Sequence, residues 1–150
     1  MLDRTLDLIG LIGVLALVLL PAFYYNGLPE KIPSHFNAKG YPDDYSSKAM
    51  LLTIPLIGLL LFLSLTILKQ RPYLFNYPTK VTKENAVYIY SIAVNMLGII
   101  GLIITLSFLY IEYQTIQTAL GYEKGLGSWF LPSFILSMSG AIIYPLIRMN

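Results

Sequence analysis

A chain of 150 residues in which 56% are hydrophobic and 12% charged departs from an ordinary soluble domain, where about a quarter of residues carry charge. The formal net charge of +2 arises from basic residues spread over the polar connections without a basic stripe, which excludes nucleic acid as a partner class. The absence of cysteine excludes disulfides and thiol catalysis.

The first apolar run covers 6–25. Its length suits a helix that rises about 1.5 Å per residue across a hydrocarbon core of about 30 Å. Arg4 precedes it, as in a signal peptide, but Asp3 and Asp7 flank the run and no small-x-small cleavage pattern follows, so a retained helix is expected. A polar segment, "LPEKIPSHFNAKGYPDDYSSK", then occupies 28–48. The second run, 49–68, has Ser46 or Ser47 as candidate cap, and Pro55 about two turns in is expected to kink it. "KQRPYLFNYPTKVTKEN" at 69–85 is basic and aromatic, the composition of a linker lying against anionic headgroups.

The third run, 86–111, is preceded by Thr82 and Glu84 as cap residues. Ser91 and Asn95 fall at i and i+4 on one face and are followed by Gly98 and Gly101, a pattern of close helix packing. The connection 112–128 leads to the fourth run, 129–147, with Ser128 and Pro132 at its start and "SMSGA" as a further close-contact surface. Tyr24, Tyr25, Tyr88, Tyr90, Tyr110, Tyr113 and Trp129 mark span ends, as interfacial aromatic rings do.

Apart from Asp7 at its edge, no charge lies inside the four runs, and each one near a helix centre would cost about 2.5–3.5 kcal/mol on insertion. The expected fold is an all-α integral membrane protein, a single domain over 1–150, with four transmembrane helices and a stiff polar loop between the first two. An even number of spans places Arg4, Lys69, Arg71, Lys80, Lys83 and Arg148 on one side, against Lys31, Lys39, Lys48 and Lys124 on the other. The positive-inside rule then sets both termini in the cytoplasm and the polar segment outside.

Within that segment, Pro29, Pro33 and Pro42 stiffen the backbone. Asn37, Gly40 and Asp43 or Asp44 supply turn chemistry, and Ile32 with Phe36 offers an apolar side to the helix ends, in the manner of a short hairpin. His35 beside Asp43 and Asp44 matches no zinc spacing, so no metal or cofactor is expected. With no nucleophile partner for His35, no catalytic residue is expected either.

"YNGLPEKIPSHFNAKGYPDDYSSK", set directly between two spans, resembles the signature of the bacterial domain of unknown function 1648, and the resemblance covers about 13–60. The matching positions are Leu28, Pro29, Ile32, Pro33, His35, Phe36, Asn37, Gly40, Asp43 and Lys48, which the resemblance makes the candidate binding residues. Family members with this domain include SdpI-type immunity proteins, which protect a cell from its own secreted peptide toxin. The resemblance implies a non-enzymatic protein of the bacterial inner membrane, working in immunity or envelope signalling. Its partners would be the lipid bilayer and a peptide toxin or another membrane protein, met through the outer loop. The alternative is a small transporter or membrane-complex subunit with a polar path near Asn95.

Overall fold

The computed structural model describes residues 2–150, with side chains from residue 4 onward, so the side chain of Asp3 lies outside the described residues. Four helices, α1 (Leu2–Tyr24), α2 (Thr53–Lys69), α3 (Ala86–Ala119) and α4 (Phe130–Met149), are long and apolar enough to cross a membrane. The chain is a multi-pass membrane protein of mostly helical structure. Between α1 and α2 lies one antiparallel hairpin, β1 (Lys31–Phe36) and β2 (Pro42–Ser47).

The long helix α3 is the axis of the bundle and packs on α1, α2 and α4. Many large apolar side chains point outward, among them Leu56, Leu63, Leu136 and Ile147, as expected of a surface solvated by lipid tails. Apolar burial does not drive helix association in such a solvent, and close backbone approach takes its place. At Gly58 of α2 an added Cβ would stand 2.6 Å from Leu17 of α1, and at Gly13 of α1 it would stand 2.7 Å from Thr105 of α3. The helix α4 is attached through a narrow stripe, with Ala141, Pro145 and Met149 buried at four-residue spacing.

Four local expectations change. Pro55 does not kink a helix: a 3₁₀ turn, Lys48–Leu52, precedes α2, so Pro55 is the third helical residue. Its missing N–H belongs to the first turn, where no helical acceptor exists. Ser47 does cap, its Oγ accepting from the Ala49 N–H at 3.4 Å, but at the head of that 3₁₀ turn. At the start of α3, Asn85 is the cap position, and its Oδ1 accepts from the Thr82 N–H at 2.7 Å. Finally, α3 runs eight residues beyond the expected end at 111, which moves Glu112, Gln114 and Thr115 from a loop into a helix.

Candidate functional site

The polar segment is a folded cap. In the hairpin Ile32 lies opposite Ser46 and Pro33 opposite Tyr45, with irregular register on either side of His35. Each strand of a two-stranded ribbon keeps one open edge, and a proline whose nitrogen faces that edge removes no ladder bond. Asn37 builds the tip: its Oδ1 accepts from the N–H groups of Lys39 at 2.9 Å and Tyr41 at 3.2 Å, and its carbonyl accepts from Gly40 at 2.8 Å. Gly40 has φ 80°, in the region open to glycine.

The tip is tied to the connection after α3. The Leu126 N–H donates to the Gly40 carbonyl at 2.7 Å, Gln114 Nε2 donates to the Gly125 carbonyl at 2.7 Å, and the Tyr110 hydroxyl donates to the Leu126 carbonyl at 2.8 Å. Tyr110 also stacks on Phe130 with ring centres 5.2 Å apart. The cap therefore joins the hairpin, the end of α3 and the start of α4.

The motif residues divide between the two faces of this cap. Leu28 and Ile32 are buried, forming a cluster with Leu51 and Ile116, and Pro33 is buried beside them. Phe36 is half-buried. Pro29, His35, Asn37 and Asp43 are exposed. His35 Nδ1 lies 2.5 Å from Asp43 Oδ1, an ion pair or hydrogen bond across the strands, according to the protonation of the imidazole. Asp44 does not join it as a third ligand, and among the described residues no group of three metal-capable side chains forms. Lys48 Nζ pairs with Glu30 at 3.0 Å and lies 5.2 Å from the centre of the Tyr25 ring. The ten positions thus build and brace the cap: His35, Phe36, Asn37 and Gly40 share an open pocket with Leu126 and Phe130; Ile32, Pro33 and Phe36 line the cavity under the hairpin; and the others join neither.

A residue that the sequence reading placed in a connection occupies the chemically informative position. Glu112 is 0% exposed, and among the described residues neither of its carboxylate oxygens has a hydrogen-bond partner. It borders a cavity of about 200 Å³ roofed by the hairpin and walled by the starts of α2 and the end of α3. Ser34, Thr53 and Thr115 are the other polar side chains of the lining, and no lysine or arginine lines it. Enclosing an unpaired ion in such surroundings costs several kcal/mol even after relaxation. The available sequence signal was helical spacing: Glu112, Thr115 and Ile116 share one face at i, i+3 and i+4.

At the opposite end of the bundle, Lys69 at the end of α2 donates to Asp7 in the second turn of α1. Lys69 is buried, and a small cavity beside the pair is lined by Gly98 and Gly101 of α3. The sequence places Asp7 at the edge of the first run and Lys69 in the basic connection after the second; the fold puts Lys69 in the last turn of α2 and pairs the two across 62 positions. Asn95 is half-buried and lines neither the cavity at Asp7 and Lys69 nor the one at Glu112. Ser91 Oγ donates within its own helix, to the Tyr88 carbonyl at 2.8 Å. The 70–85 connection also packs inward: Phe75, Tyr77 and Val81 cover Ile89, Ala93 and Met149. Burial, and secondarily Tyr90, pushes the Tyr77 phenol above its ordinary value.

These features define a class: a four-span membrane protein whose hairpin cap overhangs a partly open cavity with a buried carboxylate at its edge. Residues 11–59, from within α1 through the hairpin to the first turns of α2, match the family model of a domain of unknown function (DUF1648). The resemblance read from the motif is borne out over that segment, which contains all ten motif positions. The chain is also 27% identical over 143 residues to an uncharacterised protein of Archaeoglobus fulgidus, covering 86% of this chain and 78% of that relative. No solved structure matches. Glu112 lies outside the matched segment, so the cavity is made jointly by that segment and by α3.

Proposed function

We propose that this protein is a non-enzymatic binding protein of the cytoplasmic membrane, with its termini inside and its hairpin cap outside. The cavity beneath the cap receives part of a peptide, lipid or partner protein. The observation that carries this reading is the cavity itself: a roofed space of about 200 Å³ between a proline-stiffened hairpin and two helices, with Glu112 buried at its edge. Roughly 10–15 Å³ of such space lodges one water, so the cavity has room for a side chain or a small headgroup. Pre-ordering of the roof lowers the entropic cost of binding.

The orientation is supported by the six basic residues on the side of the termini against four on the side of the cap. Binding rather than turnover is supported by the lining, which supplies one carboxylate and three hydroxyls with no histidine or lysine as a second proton-transfer group. Protection from a secreted peptide, or relay of an envelope signal, is the role such a binder would serve. Transport along a polar path near Asn95 has less support, because Asn95 borders neither polar cavity.

Native mass spectrometry of protein released from its own membranes tests the reading. Thr115→Trp fills the cavity from the helix side and Ser34→Phe fills it from the hairpin side. A bound species on the unaltered protein that both variants lack is the expected result. The same bound species on all three proteins would overturn it.

A further inference from the structure

We infer that the cavity takes a lysine side chain of a peptide partner, with the ammonium group placed against Glu112. This rests on the binding role proposed above and names the chemistry of its ligand. Glu112 borders the cavity but is fully buried, and both carboxylate oxygens are without a partner among the described residues, so a cation that draws this side chain into the cavity meets two strong acceptors that no donor of the cap engages. The cations of the hairpin do not supply that donor: Lys48 is engaged by Glu30 and the Tyr25 ring, and Lys31 and Lys39 are exposed on the outside of the cap.

The rest of the lining selects among cations. Ile32, Phe36, Leu51 and Ile54 make most of the wall apolar, which suits a stem of methylene groups. A hard divalent ion would require about six or more oxygen ligands, and one carboxylate with the hydroxyls of Ser34, Thr53 and Thr115 does not provide them. A guanidinium carries five fixed donors and would leave several unmet, whereas an ammonium carries three, which one carboxylate and neighbouring hydroxyls can accept. The ethanolamine headgroup of a lipid brings its own phosphate, and no lysine or arginine lines the cavity to balance it. A long apolar stem with one compact cationic head fits all of these constraints, and lysine is the amino acid with that form.

The test uses the whole protein in detergent micelles with methyl-labelled methionine. Met50 lines the cavity, and Met96 and Met149 lie away from it and report on folding. Nα-acetyl-lysine methylamide is titrated against Nα-acetyl-norleucine methylamide, which keeps the stem and lacks the ammonium. The expected result is a saturable shift of the Met50 methyl signal with at least tenfold stronger binding of the lysine probe, and loss of that preference in Glu112→Gln. The norleucine comparison is made on unaltered protein, so it decides the matter even where the variant does not fold. Equal binding of the two probes, or no shift at Met50 with either, would overturn the lysine assignment. A Met50 shift produced by phosphatidylethanolamine bicelles and not by the lysine probe would overturn it in favour of a lipid headgroup. In each of these cases the binding role of the cavity is judged separately, by the filled variants.

Discussion

The joint between the hairpin tip and the connection after α3 can be broken by a single methyl group. Gly125 has φ 138°, and a Cβ there would stand 2.1 Å from the Gly40 carbonyl oxygen, the atom that accepts from Leu126. A side chain in that backbone region costs about 1–3 kcal/mol. The clash also separates Leu126 from Gly40 and shifts the Gly125 carbonyl away from Gln114, two bonds with a net value of about 1 kcal/mol each. Gly125→Ala should therefore favour the undocked loop by about 3–5 kcal/mol. At about 1.4 kcal/mol per factor of ten, the Leu126 amide should exchange with deuterium at least about 100-fold faster. Two controls grade the effect. Gly121 has φ 81° with open space around its Cβ, so Gly121→Ala carries backbone strain alone, about 1–2 kcal/mol. Gly27 has open space and no such φ, so Gly27→Ala should leave exchange unchanged. If Leu126 exchange in Gly125→Ala stayed within about threefold of the unaltered protein, the interlocked joint described here would be wrong.

Other consequences can be checked independently. Asp7→Ala removes a carboxylate from Lys69 and should lower stability by about 2 kcal/mol in denaturant titration, less than for a fully enclosed pair because the Asp7 side chain is a third exposed. Adding Lys69→Met to that change should recover most of the loss. A cysteine placed at Ala38 should react with an impermeant thiol reagent on intact cells, and one at Thr79 should not; the reverse pattern would put the cap in the cytoplasm. The Glu84 carboxyl is held below its ordinary range, chiefly by the Thr82 side chain. Its contribution to folding is therefore complete above the unfolded-state value and declines as pH falls through the lower folded-state value. Thr82→Val should move the Glu84 titration upward in carbon-detected NMR.

The spans were legible because a membrane helix needs only length and an uninterrupted apolar run, and both are local properties. The start of α3 at Ala86 shows this, since polar turn residues stop abruptly before it. Its end was not legible. After Ile111 the sequence turns polar, which resembles a loop, yet Gln114 and Tyr110 spend their polar groups on carbonyls of the following connection and hold the helix on course. The strands were half concealed, because Pro33 and Pro42 argue against a ladder and only the turn chemistry around Asn37 suggested a hairpin. Glu112 and the Asp7–Lys69 pair share one reason for being missed: burial of a charge depends on partners far away in the chain, and a window of sequence does not contain them.

The 34 residues of α3 extend about 51 Å, against a hydrocarbon core of about 30 Å. The stretch beyond Ile111 forms a mast about 12 Å tall on which the hairpin is mounted. Membrane thickness then becomes a variable of the protein: a thicker bilayer submerges part of the mast or straightens its tilt, a thinner one lifts the cap farther from the surface, and the height of the cap follows the lipid around it.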